Sequence, residues 1–327
     1  MTFALSVPAN LLLLGEYAVT EEGGLGIALA SAPRVELRVS SRGPRSGSLG
    51  SASLAIGGRM GPTSFIWVEG ESADPAPALV AACLDEARKV LADKSLPAAR
   101  IDIDSSAFFS AEGKKRGFGS SAAVAVGLSA ALLKLGGLDG EALEAAVFPL
   151  ALAAHRRAQG GRGSGYDVAA SRFGGAGIFA GGSSPRWTAV PAELLSTLGE
   201  LDLALRPGSQ PVSSPTSVGA YQRWKAKDSD AHRAFLSASA GIIDDFITAR
   251  TSETILAVLR RAAAAGTELG DAIGVPARPP GTLGPVEKCL GAGDELILVA
   301  SARGWGPLSA RPDILPLRIE KEGLRWE

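Results

Sequence analysis

Two short stretches hold most of the side chains able to do chemistry. The first is Gly113-Lys114-Lys115-Arg116-Gly117-Phe118-Gly119-Ser120-Ser121-Ala122-Ala123, which packs three cations, closely spaced glycines and two hydroxyls together. Behind it, Val124, Leu128, Ala131, Leu132 and Leu135 recur at helical spacing and predict a helix with one buried face. The glycines and serines therefore stand at a helix N-terminus, where backbone amides lack partners and the macrodipole is positive. Glycine lets the backbone curl close to a guest, so that several N–H groups converge on an anion. Lys114, Lys115 and Arg116 add charge, and a polyphosphate suits that chemistry. The plainer reading is a simple cap, since serine is among the best N-cap residues. The order is neither the Gly-Lys-Ser/Thr of a P-loop nor a full Gly-x-Gly-x-x-Gly fingerprint.

The second stretch, Gly160-Gly161-Arg162-Gly163-Ser164-Gly165-Tyr166-Asp167, follows a helix predicted over 141–159 and precedes one predicted from Val168. Gly163, Ser164 and Gly165 bring backbone close to a substrate and present Asp167 at a helix start. A carboxylate there can accept or orient the proton of an attacking oxygen during phosphoryl transfer. Alternatively it caps the helix, a contribution of about 0.5–2 kcal/mol. His155 lies on the preceding helix, where packing or a hydrogen bond to a loop is expected. Asp102 and Asp104 share a strand face and read as a solvated edge, because no third metal ligand is near them.

The elements that must position these groups alternate between strand and helix. Phe3 to Val7 and Leu11 to Leu14 predict two strands, Val35 to Val39 and Ile101 to Asp104 two more, and Ala78 to Leu91 a helix. Residues 41–62, rich in Gly, Ser, Pro and Arg, read as a hairpin or mobile loop without chemistry. A Gly-Ser-Pro turn near 181–186 suggests a domain boundary, giving domains 1–182 and 183–327. Beyond it come a strand over Leu201 to Leu205, helices over 235–247 and 255–269, a buried strand ending at Ala300 and an edge strand from Ile314 to Ile319.

Composition narrows the classes. The 327 residues are 46% hydrophobic, enough for a sizeable core and against disorder. Net charge of −1 argues against a general nucleic-acid binder. Cys83 and Cys289 show no ligand spacing and read as reduced, buried residues of a cytoplasmic protein. Two histidines leave no multi-histidine metal site. Glu16 soon after Leu14, with no basic region before the apolar run, predicts neither a signal peptide nor a membrane span.

Several of these stretches carry a family resemblance. Gly117 to Ala123 resembles the second motif, Gly-Leu-Gly-Ser-Ser, of the GHMP small-molecule kinases, and the Gly-Lys-Lys-Arg before it is similar to the phosphomevalonate kinase branch. Pro8 to Val19 is similar to the first motif, Pro-Gly-Lys-x-x-x-x-Gly-Glu-x-x-Val, with Ala9 and Asn10 replacing glycine and lysine. Ala154 to Ala169 resembles the branch's Ala-His-x-x-Ala-Gln-Gly-x-x-Gly-Ser-Gly-Phe-Asp-Val-Ala run, with Tyr166 for phenylalanine. Gly291-Ala292-Gly293-Asp294 is similar to the third motif, Gly-Ala-Gly-Gly-Gly-Asp, two glycines shorter.

The resemblance implies an α+β fold of two domains with the active site in the cleft between them. It implies transfer of the ATP γ-phosphoryl group to a small phosphorylated alcohol, phosphomevalonate first. Lys114, Gly117, Phe118, Gly119, Ser120, Ser121 and Ala122 would hold ATP, Asp167 would orient the acceptor, and Lys115 would stand in for the missing lysine. Some GHMP kinases bind magnesium through a glutamate where this chain has Arg156. Mg²⁺ is therefore expected on ATP phosphates, Ser120 or Ser121, and water. Asn10, Glu16, Tyr17, Arg162, Ser164, Gly165, Ser213, Ser214, Gly291, Gly293 and Asp294 are the expected acceptor-side residues. For Glu16 and Tyr17 a surface turn stays open, and for Ser213 and Ser214 a Ser/Pro-rich surface loop. Mevalonate or another small alcohol as acceptor, and a binding protein with little turnover, also stay open. No nucleic acid or membrane partner is expected, and the protein reads as a monomer or homodimer.

Overall fold

The computed structural model describes residues 1–41, 53–60, 63–92, 95–161, 163–209, 214–279, 284–304 and 314–327. The chain divides into two compact units of mixed helix and sheet. One comprises Met1–Asn10, Ala30–Gly174 and Glu320–Glu327, the other Leu11–Leu29 and Gly175–Ile319. Each unit is thus assembled from separated segments, where the turn at 181–186 suggested one crossing. Strands β1 (Thr2–Leu14) and β2 (Leu25–Ser41) contribute residues to both. The two short strands read from Phe3 and from Leu11 are one continuous strand, since nothing between them breaks the extended backbone.

In the first unit, β1 pairs antiparallel with β12 (Arg325–Trp326), and β2 with β5 (Ala99–Asp104). β5 also pairs in parallel with β3 (Ala55–Met60), which forms a hairpin with β4 (Thr63–Val68). β5 is therefore internal, not an edge. Asp102 and Asp104 still face solvent, Asp102 bonded to Arg100 and Asp104 to the Ser106 amide at 2.9 Å. The 41–62 stretch is a hairpin strand in part; residues 42–52, 61 and 62 lie outside the described residues.

Helices α1 (Ala78–Val90), α2 (Ser120–Leu135), α3 (Gly140–Ala158) and α4 (Tyr166–Phe173) complete this unit. The sequence suggested one buried face for α2, but it is buried nearly all round, because α1, α3 and α4 all pack against it. The sheet lies so close on the remaining side that a Cβ at Gly127 would sit 2.5 Å from Leu37. A helix enclosed on all sides must be apolar or small at every position, which its run of Ala, Val, Leu and Gly satisfies.

In the second unit, Leu25–Leu29 of β2 pairs with β6 (Ala176–Ala180), and β6 with β7 (Arg186–Ala189). A separate antiparallel sheet has the order β11-β8-β10-β9, with β8 spanning Leu201–Pro207, β9 Val286–Leu290, β10 Leu296–Ala302 and β11 Leu315–Pro316. β9 was not recognisable as a separate strand because charged Glu287 and Lys288 interrupt its apolar pattern. The helices are α5 (Ala192–Leu198), α6 (Ser214–Lys227), α7 (Ser229–Thr248) and α8 (Ser252–Ile273), with α7 packed on α8 and α8 on β9 and β10. The Ser/Pro-rich stretch after β8 is not wholly a loop: α6 begins at Ser214, with Pro215 in its first turn where a missing amide costs nothing.

Candidate active site

In the first unit, α2 starts at Ser120 and its N-cap is Gly119, held at φ 69° in the left-handed region. No side chain caps the helix, so the serines do not play the capping role that their identity allowed. The first intrahelical bond runs from the Ala123 amide to the Gly119 carbonyl at 3.3 Å, leaving the amides of Ser120, Ser121 and Ala122 ahead of it. Asn10 fixes this turn. It is buried; its backbone amide donates to Phe118 O at 3.2 Å, and its Nδ2 to Gly119 O at 3.0 Å and Ser171 Oγ at 2.9 Å. Asn10 was expected on the acceptor side; its amide group is instead spent inside the protein.

The three cations of the loop divide. Arg116 donates through Nε to Phe109 O at 3.1 Å, and its backbone amide pairs with Phe108 O at 3.0 Å. Lys114 and Lys115 are exposed, and the Lys114 ammonium attracts the neighbouring Glu112 carboxylate. Uncapped amides, a positive helix end and two exposed ammonium groups suit a triphosphate.

α4 begins at Tyr166, after Gly165 at φ 95°. A Cβ at Gly165 would lie 2.3 Å from the Leu152 Cδ1 methyl, which can rotate aside, so it is the left-handed conformation that calls for glycine there. The Arg156 guanidinium holds the preceding turn, donating to Gly163 O at 3.0 Å and to Ser164 O at 2.9 Å. Ser164 is buried, and Arg162 lies outside the described residues. Asp167 lies in the first turn and accepts the adjacent Val168 amide through Oδ1 at 2.9 Å, but the N-cap is Gly165 and no side chain caps the helix, so Asp167 does not play the capping role. Its Oδ2 is 3.6 Å from His155 Nδ1, in contact but too far for a hydrogen bond.

His155 is the residue that sequence reasoning undervalued. It is buried, with Nε2 3.2 Å from Ser121 Oγ and 3.1 Å from the Gln159 amide nitrogen. The other ring nitrogen, Nδ1, faces Asp167. The imidazole thus joins the first turn of α2 to the first turn of α4, bringing Ser121 and Asp167 into one cluster. The resemblance to an Ala-His-x-x-Ala-Gln run was the available signal, since His155 and Gln159 are one helical turn apart.

The remaining expected residues lie in the second unit. Glu16 pairs with Lys288, and the Tyr17 hydroxyl donates to Ala292 O at 2.8 Å. These are internal contacts, not a free surface turn. Asp294 is buried with Oδ2 accepting from Ser209 Oγ and Oδ1 without a partner among the described residues. Ser213 lies outside the described residues, and Ser214 is known only as the first residue of α6. Burial pushes the Glu16 carboxyl above its ordinary range, a desolvation that outweighs the opposing attraction of Lys288. Lys288, 2% exposed, was missed because a lysine inside a short strand reads as solvent-facing. Both cysteines are free and buried, as expected, and burial raises both thiols, Cys83 to about 12 and Cys289 to about 11. Among the described residues no cluster of three or more His, Cys, Asp or Glu side chains could hold a metal, and no helix is long and apolar enough to cross a membrane.

Residues 78–175 match the family model described as GHMP kinases N terminal domain. A phosphomevalonate kinase from Streptomyces sp. (strain CL190) is 25% identical over 307 residues, covering 84% of this chain and 80% of that protein. Among solved structures, a Lin0012 protein from Listeria innocua superposes with a TM-score of 0.79 at 18% identity, covering 100% of this chain and 99% of that one. Streptococcus pneumoniae phosphomevalonate kinase in complex with phosphomevalonate and AMPPNP superposes with a TM-score of 0.71 at 19% identity, covering 99% of each chain.

Proposed function

We propose that the chain, whose residues 78–175 match the GHMP kinase N-terminal domain, is a small-molecule phosphotransferase that transfers the γ-phosphoryl group of ATP to phosphomevalonate, giving mevalonate diphosphate. One observation carries the catalytic part of this reading: His155 bridges Ser121, at the uncapped start of α2, and Asp167, at the start of α4. An anion-binding helix end and a carboxylate are thereby tied to one rigid side chain.

Phosphoryl transfer asks the protein chiefly for positioning and for charge stabilisation on the equatorial oxygens. The amides of Ser120, Ser121 and Ala122 are the fixed donors for phosphate oxygens, and the exposed ammonium groups of Lys114 and Lys115 offset their charge. ATP, when bound, supplies the phosphoryl group. Among the described residues Mg²⁺ would find no carboxylate cluster, and the Ser120 and Ser121 hydroxyls with water are the partners this reading gives it. Asp167 orients the acceptor oxygen. A phosphorylated acceptor presents an oxygen already deprotonated, so positioning by Asp167 suffices without a strong base. The choice of phosphomevalonate rests on the Streptomyces relative and on the ligand named in the pneumococcal structure.

Coupled ADP release with phosphomevalonate, mevalonate and homoserine tests the proposal. Turnover is expected with phosphomevalonate well above the other two. ATP binding by calorimetry with no ADP formed on any acceptor would instead establish a binding protein. Asp167→Asn is expected to lower kcat by about 10²-fold at unchanged ATP affinity, the scale of a misplaced reacting group.

A further inference from the structure

The second unit contains a buried charge pair that the proposed reaction does not use. Lys288 lies in the middle of β9, opposite Leu298 of β10, with its side chain 2% exposed. Its ammonium donates to Glu16 Oε1 and to the Cys289 carbonyl at 2.9 Å. The Gly291 backbone amide lies against the same Glu16 carboxylate. The next residue, Tyr17, donates its hydroxyl to Ala292 O. Two consecutive side chains thus hold two consecutive residues of the turn that leaves β9.

Three features say that this arrangement fixes a shape. First, the turn borders a cavity of about 50 Å³ lined on this side by Glu16, Lys288, Cys289, Gly291 and Gly293. Ala292 packs against the apolar cluster of Tyr17, Tyr221 and Leu269, and the polar anchor at Gly291 fixes a residue that has no side chain to pack. Second, Tyr17 adopts φ 63°, ψ −40°, an unfavourable backbone for a bulky residue. Such a conformation persists only where the surroundings over-determine it, and it concentrates at functional sites. Third, a buried ion pair is a poor way to gain stability, because desolvation offsets the Coulomb attraction. Its remaining use is to specify one geometry. The turn also leads directly into Asp294, whose buried Oδ1 has no hydrogen-bond partner among the described residues.

We propose that Lys288 is a positioning residue: through the Glu16 carboxylate and the Gly291 amide it sets the conformation of the Gly291–Gly293 turn, and through that turn the affinity for the acceptor. The effect on the acceptor rests on the kinase reading above; the clamp itself does not. Lys288 touches no reactant, so its removal acts on the acceptor side. Nucleotide binding, assigned to the first turn of α2, is untouched.

The test compares wild type with Lys288→Met, Lys288→Arg and Glu16→Gln, each first checked for a cooperative unfolding transition. Lys288→Met is expected to raise the KM for phosphomevalonate by about 10-fold or more, as loss of about 1.4 kcal/mol of binding free energy would. ATP affinity by calorimetry is expected to stay within twofold of wild type. Lys288→Arg, which keeps the charge, is expected to recover part of the loss. Glu16→Gln, which keeps the shape and removes the negative partner, is expected to reproduce it. Hydrogen exchange at the Gly291 and Ala292 amides reads the clamp without any turnover, and Lys288→Met is expected to accelerate exchange there by more than 10-fold relative to the rest of β9. Lower thermal stability with unchanged KM and unchanged turn exchange would overturn the proposal, leaving Lys288 a purely structural residue. Accelerated turn exchange in a protein inactive on every acceptor would uphold the clamp and reject the kinase reading.

Discussion

Gly119→Ala tests the geometry of the candidate nucleotide site directly. An alanine held in the left-handed conformation at φ 69° costs about 1–2 kcal/mol from the backbone alone. Its Cβ would also lie 2.1 Å from Asn10 Oδ1, 2.4 Å from Nδ2 and 2.5 Å from Cγ. Asn10 is buried and held from both backbone and side chain, so it cannot swing aside without losing its bonds to Gly119 O and Ser171 Oγ. Two neutral hydrogen bonds at about 0.5–1.5 kcal/mol each bring the expected loss to about 2–5 kcal/mol. Gly137→Ala is the control. Gly137 also has positive φ, at 90°, but a Cβ there meets no atom within 4 Å, so only the backbone cost of about 1–2 kcal/mol applies. Denaturant unfolding of both variants should show Gly119→Ala the more destabilised, with ATP affinity by calorimetry reduced in that variant alone. The double variant Asn10→Ala/Gly119→Ala should be less destabilised than the sum of its single changes, because the collision is gone. Equal destabilisation by Gly119→Ala and Gly137→Ala with unaltered ATP binding would refute the view that Asn10 braces this turn.

Lys115→Ala is expected to cut turnover far more than ATP affinity, and an equal loss in both would reject its place in charge stabilisation. His155→Ala removes the Ser121 hydroxyl's partner and the buried ring that packs beside Asp167 and is expected to lower kcat about 10²-fold, the scale of a small misplacement of reacting groups; an unchanged kcat in the folded variant would contradict it. Alkaline stability carries a signature of the second unit. Burial raises the Tyr17 hydroxyl from 10.0 to about 12, and burial followed by the nearby Glu21 carboxylate raises Tyr221 as well. The folded protein therefore keeps protons that the unfolded chain loses, so stability is full below pH 10 and falls as pH rises towards 12, by up to about 1.4 kcal/mol per pH unit for each group. Tyrosinate absorbance of the native protein beside unfolding curves checks this. Tyr17→Phe should flatten the fall, and ionisation of Tyr17 at its ordinary pH would negate it.

What the sequence determined by itself was local. Gly117 to Ala123 announces a helix N-terminus because glycine conformation, orphan amides and the following apolar period all act within one or two turns. Gly163 to Asp167 announces a second helix start for the same reason. The family likeness was legible because these short-range requirements leave little choice of residue. The tertiary structure decided which side chains meet and at what depth. Asn10 and Gly119 are 109 positions apart, His155 and Ser121 are 34, and Lys288 and Glu16 are 272. No propensity or spacing relates such pairs, because the free energy that joins them comes from close packing and desolvation once the chain has folded. Asn10 could therefore be read as a substrate contact and Lys288 passed over: a polar residue declares its chemistry in the sequence, but its burial and partner are set by everything around it.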